Sequence, residues 1–231
     1  MPAPGDMVER LRPLVAANRA RRQPRVRFRP DTWLPRLEPH GLAHVLDLGT
    51  EDPAARRPGD RLIGRENLTA LRPTADDDTE GLLALFVAVM IWGSGTTNGR
   101  GPRNTAAALR DERLIPVLRT TREAVLADDP GRAYALFTVR GVGFPFFTKW
   151  FAALSDQALI LDSRVLATLN ALAWTTHEAA TTRHWPTRYA AYVTAMRIWS
   201  AALDVPAPWL EWLLFDLNGH PDRLTRLERG A

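Results

Sequence analysis

The chain has 231 residues, of which 45% are hydrophobic, and this is enough for one large domain or for two lobes that share a core. The absence of cysteine excludes disulfides and thiolate metal sites, and no apolar stretch is long enough to cross a bilayer. The formal net charge of +4 and the isoelectric point near 10.2 permit binding to a polyanion, and without an apolar signal core at the N-terminus we expect a cytoplasmic protein.

The N-terminal region is basic and rich in proline. A short amphipathic helix is predicted over residues 1–18, and the stretch from Arg19 to Arg36 carries seven arginines against the single acid Asp31. Such a stretch fits an arm that contacts phosphates, and it equally fits a solvated, partly disordered segment. Residues 30–65 contain five prolines and predict loops or short elements.

Further along the chain, helical spacing dominates and almost nothing alternates with a period of two, so the fold is predicted to be mainly α. The first strong helix follows the acidic cluster Asp76–Asp78, which suits a helix N-terminus. The predicted helices cover residues 77–92, 103–110, 112–127, 131–138, 145–154, 163–173, 186–203, 207–217 and 221–229.

A glycine-rich loop from Gly93 to Asn104 interrupts this pattern after the first strong helix. Arg100, Arg103 and Asn104 lie on this loop, from which they could contact a base or the phosphates of a nucleic acid. A polar turn that leads into the next helix explains the same residues equally well.

The most informative stretch runs from Ala133 to Phe151. A helix leads into Gly141-Val142-Gly143, and a second helix begins at Pro145, which suits a first helical turn. Glycines allow positive φ and close approach of a ligand, so amides of the turn can converge on a phosphate oxygen. A plain turn at a helix end is the alternative explanation.

Lys149, in the second of these helices, is the only lysine of the chain, although 30 residues are lysine or arginine. A GC-rich genome explains the shortage of lysine without reference to function. Only a primary amine, however, can lose its proton near neutral pH and attack carbon. Side chains lean toward the helix N-terminus, so the amine should point toward Pro145, and burial among Phe144, Phe147 and Trp150 would lower its pKa. The alternative is a surface lysine with a buried stem.

An apolar run from Ala158 leads to Asp162, directly before a predicted helix that starts at Ser163. An N-cap role alone explains an aspartate at this position. A carboxylate facing an amine on the preceding helix could also stabilise a cation-like sugar while a glycosidic bond breaks. The two roles are compatible.

The hairpin, the lysine and the aspartate together resemble the helix-hairpin-helix DNA glycosylases, the superfamily of endonuclease III and the 8-oxoguanine DNA glycosylases. Gly-Val-Gly-Phe-Pro-Phe-Phe-Thr-Lys and Leu-Ile-Leu-Asp-Ser-Arg-Val are most similar to a bacterial branch labelled 8-oxoguanine-glycosylase-like. The resemblance covers roughly residues 65–220. The superfamily lysine stands two residues after the second glycine, where this chain has Pro145, and Lys149 lies one helical turn later.

The resemblance implies a two-lobed helical glycosylase fold over residues 66–231, with residues 1–65 packed on it as a basic, proline-rich region. It assigns Lys149 and Asp162 to catalysis. Two activities remain open: release of the base alone, or release of the base followed by cleavage of the DNA strand through a Schiff base on Lys149. The implied DNA contacts are Arg140, Gly141, Val142, Gly143, Phe144 and Arg164, together with Arg100 and Arg103. The candidate base-pocket residues are Trp92, Asn104, Trp209 and Trp212, although ordinary core packing explains the tryptophans as well.

The implied function is release of a modified base that is flipped out of double-stranded DNA, with 8-oxoguanine as the base that the family suggests. Two alternatives remain: excision of a hypermodified, for example glucosylated, cytosine from phage DNA as a defence, and a non-catalytic module that only binds DNA. No cofactor, no metal site and no membrane partner are expected, and a monomer is the default. The resemblance allows a monovalent cation on the hairpin carbonyls.

Overall fold

A computed structural model of the protein describes residues 4–96 and 99–221. The described part of the chain is mainly helical, which confirms the predicted fold class. The helices are α1 (Pro4–Asn18), α2 (Pro30–Leu37), α3 (Arg65–Ala70), α4 (Thr74–Asp77), α5 (Thr79–Ser94), α6 (Arg100–Leu109), α7 (Leu114–Leu126), α8 (Pro130–Leu136), α9 (Phe144–Leu154), α10 (Ser163–Ala171), α11 (Thr176–Ala180), α12 (Trp185–Ala202) and α13 (Ala207–Leu217). The helix predicted over 221–229 lies almost entirely outside the described residues.

A small antiparallel sheet is the feature that the sequence pattern does not reveal. Its strands are β1 (Val26–Phe28), β2 (Thr50–Glu51) and β3 (Arg61–Ile63), in the order β1-β3-β2. Strands of two or three residues are too short to show an alternating pattern, and period-based prediction therefore misses them. Within residues 30–65, which predict only loops or short elements, the structure also has α2 and two short 3-10 turns.

The arginine-rich stretch is ordered, and most of its arginines form ion pairs within the protein. Arg27 and Arg29 pair with Asp52 and Asp60, two carboxylates that are almost fully buried. The other pairs are Arg19 with Asp204, Arg21 with Asp216 and Arg25 with Glu66. The stretch is therefore neither a free phosphate-binding arm nor a disordered segment; it joins the N-terminal region to α3, α13 and the α12–α13 turn.

Helix α5 is the central helix of one half of the structure. Asp78 caps it, because its carboxylate accepts a hydrogen bond of 2.7 Å from the Gly81 N–H. Almost every residue from Leu82 to Trp92 is buried, as expected for a helix that is apolar on all sides. It packs against α6, α7, α9 and β1.

The second group of helices is built around α12, which packs against α1, α8, α11 and α13, while α10 packs against α13. One hydrophobic cluster runs from Met7 in α1 through Phe86 and Trp150 to Leu217 in α13. Among the described helices, none is long and apolar enough to pass through a membrane.

The extended segment 158–162 connects α9 to α10 and is fixed by side chains rather than by a sheet partner. The hydroxyls of Tyr189 and Tyr192 donate to the carbonyls of Leu159 and Ile160, at 2.6 and 2.7 Å. Buried carbonyls need such partners, so these bonds determine the path of the segment. The path ends at Asp162, which is thereby fixed at the start of α10.

Candidate active site

A cavity of about 390 Å³ opens where α5 ends and where α9 and α10 begin, with α13 on the opposite side. Its wall includes Trp92, Lys149, Asp162, Arg164, Glu211 and Trp212. Residues far apart in the chain thus meet in one concave, largely apolar space that holds several charged groups. Such a combination is typical of a ligand-binding or active site.

The Lys149 side chain lies in this wall with only 12% of its surface exposed. Its Nζ donates to the Pro145 carbonyl at 3.0 Å, so the amine points back along α9, as helix geometry predicts. A Cβ at Gly93 would lie 3.0 Å from the lysine Cδ, so the glycine leaves the space that the lysine stem occupies. Burial lowers the pKa of Lys149, which favours the neutral, nucleophilic amine.

The neighbours of Lys149 differ in part from those expected. Phe147 and Trp150 are buried in the core, while Phe146 is half-buried and faces the cavity with its ring centroid 5.7 Å from Nζ. Phe144 stacks on Trp185 at 5.9 Å. Phe146, which was not among the expected neighbours, is therefore the aromatic residue beside the amine.

Asp162 uses its two carboxylate oxygens differently. Oδ1 accepts the N–H groups of Arg164 and Val165 at 2.9 and 3.0 Å, and thereby caps α10. Oδ2 lies 3.9 Å from Lys149 Nζ, too far for a hydrogen bond but close enough to attract the ammonium form. The capping role and the role as a partner of Lys149 are thus both present in the geometry.

Glu211 and Arg65 complete the charged wall, and neither was identified from the sequence. Glu211 is 2% exposed; its carboxylate accepts from Arg65 at 3.0 Å and from the Ile160 N–H at 2.8 Å. Burial raises the pKa of Glu211. A signal existed, because a glutamate within the apolar run Trp-Leu-Glu-Trp-Leu-Leu-Phe of α13 is unusual.

The hairpin between α8 and α9 lies next to the cavity through Pro145 and Phe146. Gly141 has a φ of +82° in a turn closed by the Val142 N–H and the Val139 carbonyl, whereas Gly143 has a φ of −75° and is the N-cap of α9. Of the two glycines, only Gly141 therefore uses the positive φ that glycine allows. The extended backbone of Gly143 is what an N-cap requires.

The hairpin residues differ in exposure. Arg140, Gly141 and Gly143 are exposed, Phe144 is half-buried and Val142 is buried. In the first turn of α9, Pro145 has no N–H, and the N–H groups of Phe146 and Phe147 donate to the Gly143 carbonyl at 2.8 and 3.1 Å. The donors left for a ligand at this helix start are the N–H groups of Gly143 and Phe144. Backbone donors of this kind are able to bind a phosphate oxygen.

The other predicted site residues divide between two cavities. Trp92, Trp212 and Arg164 line the first, and the Arg164 guanidinium lies 4.7 Å from the centre of the Phe215 ring. Trp209 is not part of that wall; its indole N–H donates to the Arg21 carbonyl at 3.0 Å.

Arg100, Arg103 and Asn104 line a second cavity of about 520 Å³. The second cavity shares Gly93, Ser94 and Phe146 with the first, so the two are neighbours separated by these residues. Asn104 therefore belongs with the two arginines rather than with the tryptophans of the first cavity.

No curated protein and no solved structure matches the chain. A family model described as "Putative 8-oxoguanine DNA glycosylase OGG-like protein" matches residues 19–215. The match begins well before residue 65, so it includes the sheet and the arginine-rich stretch as well as every residue of the first cavity wall. The chain therefore belongs to the OGG-like family of 8-oxoguanine DNA glycosylase relatives.

Proposed function

We propose that this protein is a DNA glycosylase that cleaves the N-glycosidic bond of a modified nucleotide held in the 390 Å³ cavity. The observation that carries the proposal is the position of the only lysine of the chain. Its amine is buried in the cavity wall, 3.9 Å from the carboxylate of Asp162 and beside a glycine hairpin. Membership of the OGG-like family supports the same activity.

The hairpin and the exposed arginines hold the DNA backbone in this proposal. Backbone N–H groups at a helix start bind phosphate without sequence preference, and Arg140 next to Gly141 adds a positive charge. The damaged nucleotide is flipped out of the duplex at a cost of a few kcal/mol. Its base enters the cavity between Trp92, Phe146 and Trp212, whose apolar surfaces replace the lost base stacking.

Asp162 and Lys149 share the chemistry. As the bond between C1′ and the base nitrogen breaks, the base leaves with the electron pair and takes up a proton, and positive charge develops on the sugar. The Asp162 carboxylate stabilises that charge. The neutral Lys149 amine attacks C1′ to form a C–N bond and releases a proton, which the leaving base takes up; opening of the C1′–O4′ bond then gives an imine that borohydride can reduce. Alternatively, the amine accepts a proton from a water that attacks C1′ and passes a proton to the base. The steps use no cofactor.

The substrate of this proposal is 8-oxoguanine, which is the base in the family description. The second cavity favours one other candidate, a base with a bulky substituent such as a glucosylated cytosine in phage DNA. A substituent that passes Gly93 and Ser94 would reach Arg100, Arg103 and Asn104, which supply polar contacts. In that case the protein would act in defence against phage rather than in repair.

Borohydride trapping tests the enzyme against the DNA-binding module. The wild-type protein should form a covalent complex with DNA that contains the substrate base, and Lys149→Arg should not. Arg110→Lys adds an exposed lysine at the end of α6, and the double variant Lys149→Arg/Arg110→Lys should remain untrapped. Base release without trapping would assign the attack to water. Binding with neither trapping nor release on any modified DNA would contradict the proposal.

Mass spectrometry of the released bases identifies the substrate. Oxidised DNA and DNA from phages with modified cytosines are incubated separately with the wild-type protein and with Lys149→Arg. Release of 8-oxoguanine by the wild type alone supports the family assignment. Release of a modified cytosine alone supports the defence function.

A further inference from the structure

Glu211 is buried and Arg65 is largely shielded from solvent, and the charges of both act on Lys149, yet the proposed reaction does not use them. The Glu211 side chain is only 3% exposed and the Arg65 side chain 20%. Burial of a charged pair costs free energy unless its geometry and hydrogen bonds compensate. Replacement by apolar residues would often be no less stable, so the pair calls for an explanation other than packing.

The contacts of Glu211 connect it to the segment that carries Asp162. One carboxylate oxygen accepts the N–H of Ile160, which lies two residues before Asp162 in the extended segment 158–162. The other accepts Arg65 Nη2, whose guanidinium lies 5.5 Å from the centre of the Trp92 ring. The pair thus joins α13, the start of α3, the end of α5 and the peptide before Asp162.

We propose that Glu211 and Arg65 are positioning residues: Glu211 fixes the peptide that presents Asp162 and adds a second negative charge beside the Lys149 amine, and Arg65 partly cancels that charge. The proposal rests on the proposed function, because Lys149 and Asp162 are the groups that the pair serves. It assigns opposite electrostatic effects to two residues that touch each other.

Three charged groups act on the Lys149 amine. Asp162 and Glu211 raise the pKa of Lys149, Arg65 lowers it, and burial, the largest effect, lowers it as well. Arg164 lines the same cavity. Removal of the negative charge at 211 should therefore lower the pKa of Lys149, and removal of the positive charge at 65 should raise it.

The single lysine makes this measurable without any assumption about activity. Protein labelled with ¹³C-lysine has one lysine Cε signal, and its chemical shift against pH gives the pKa of Lys149. Glu211→Gln keeps an acceptor for the Ile160 N–H but loses the charge. We expect the transition to move down by about one pH unit in Glu211→Gln and up by a similar amount in Arg65→Gln. Arg12→Gln, which removes an exposed pair on α1, should leave it unchanged.

The pH profile of base release provides the second readout. If the neutral amine is the reactive form, the rate rises with pH, and the rise should begin at lower pH in Glu211→Gln and at higher pH in Arg65→Gln. If Glu211 and Arg65 had a purely structural role, both variants would lose activity and stability, but their pH profiles of base release would not shift in opposite directions. Arg65→Met provides a second uncharged variant if Arg65→Gln does not fold.

The outcomes separate the two proposals. Lysine transitions that move in opposite directions support the charge roles even if no DNA releases a base, in which case the proposed function alone fails. If the wild-type protein releases a base but the lysine transition lies at the same pH in Glu211→Gln and Arg65→Gln, the positioning roles are overturned. The proposed glycosylase activity then stands.

Discussion

Asp162 combines a structural and a chemical task in one side chain, and the two tasks use different oxygens. Oδ1 caps α10, and Oδ2 faces Lys149. Asparagine is as good an N-cap as aspartate, because its carbonyl oxygen accepts the same N–H groups. A change from carboxylate to amide therefore separates the charge from the cap.

We predict that Asp162→Asn lowers the rate of base release by about 10²- to 10³-fold while the melting temperature and DNA affinity stay close to wild type, since only the stabilising charge is lost. Asp162→Ala should lose the cap as well, at about 1 kcal/mol, which is about 2–4 °C in a chain of this size. Single-turnover kinetics, calorimetry and DNA titration measure the three quantities.

An equal loss of melting temperature in the two Asp162 variants would show that the charge, and not the cap, stabilises α10. Full activity of Asp162→Asn would remove Asp162 from the proposed chemistry. The aspartate of the Arg197–Asp128 pair gives a control, since Asp128 is 59% exposed and Asp128→Asn should leave base release unchanged.

At the scale of elements, local signals were sufficient for the helices that build the site. Pro145 in the first turn of α9 and Asp162 before α10 each specify a helix start through backbone chemistry within a few residues. The sequence therefore predicts the hairpin, the direction of Lys149 and the cap at Asp162.

What the sequence could not predict depends on contacts between distant residues. Glu211 meets Arg65 across 146 positions of the chain, and Arg21 meets Asp216 across 195. No local period encodes such pairs. The same reason explains why Trp209 was grouped with the cavity, although its indole N–H bonds to the Arg21 carbonyl.

The two glycines of the hairpin give a matched pair of variants. Gly141 has a φ of +82° with no atom within 4 Å of an added Cβ, so Gly141→Ala should cost about 1–2 kcal/mol through backbone strain alone. Gly143 has an ordinary φ, and its Cβ would meet only Pro145 Cδ at 3.6 Å. Gly143→Ala should therefore keep the melting temperature but weaken DNA binding, because a methyl group would stand where the phosphate approaches. Calorimetry and DNA titration of both variants test this.

Unchanged DNA affinity in Gly143→Ala would show that the phosphate does not approach α9 at this point. Unchanged stability in Gly141→Ala would mean that the turn can take another form. The two glycines thus test separate statements about one element.

At the scale of the whole molecule, the positive charge is divided into paired and unpaired arginines. Arg19, Arg21, Arg25, Arg27 and Arg29 each pair with a carboxylate. In residues 4–96 and 99–221, no carboxylate lies within ion-pair distance of the exposed Arg100, Arg103 or Arg140. The net charge of +4 therefore does not locate the DNA-binding surface. The positions of the unpaired arginines near the cavities are the better guide to that surface.

We predict that Arg103→Gln and Arg140→Gln each reduce the slope of log affinity against log salt by about 0.9, the value for one lost phosphate contact. Arg25→Gln should leave the slope unchanged and alter stability by less than about 1 kcal/mol, because Arg25 forms an exposed pair with Glu66. Titrations of duplex DNA at several salt concentrations measure all three slopes. A reduced slope in Arg25→Gln with no change in the other two would place the DNA on the N-terminal region, away from the hairpin.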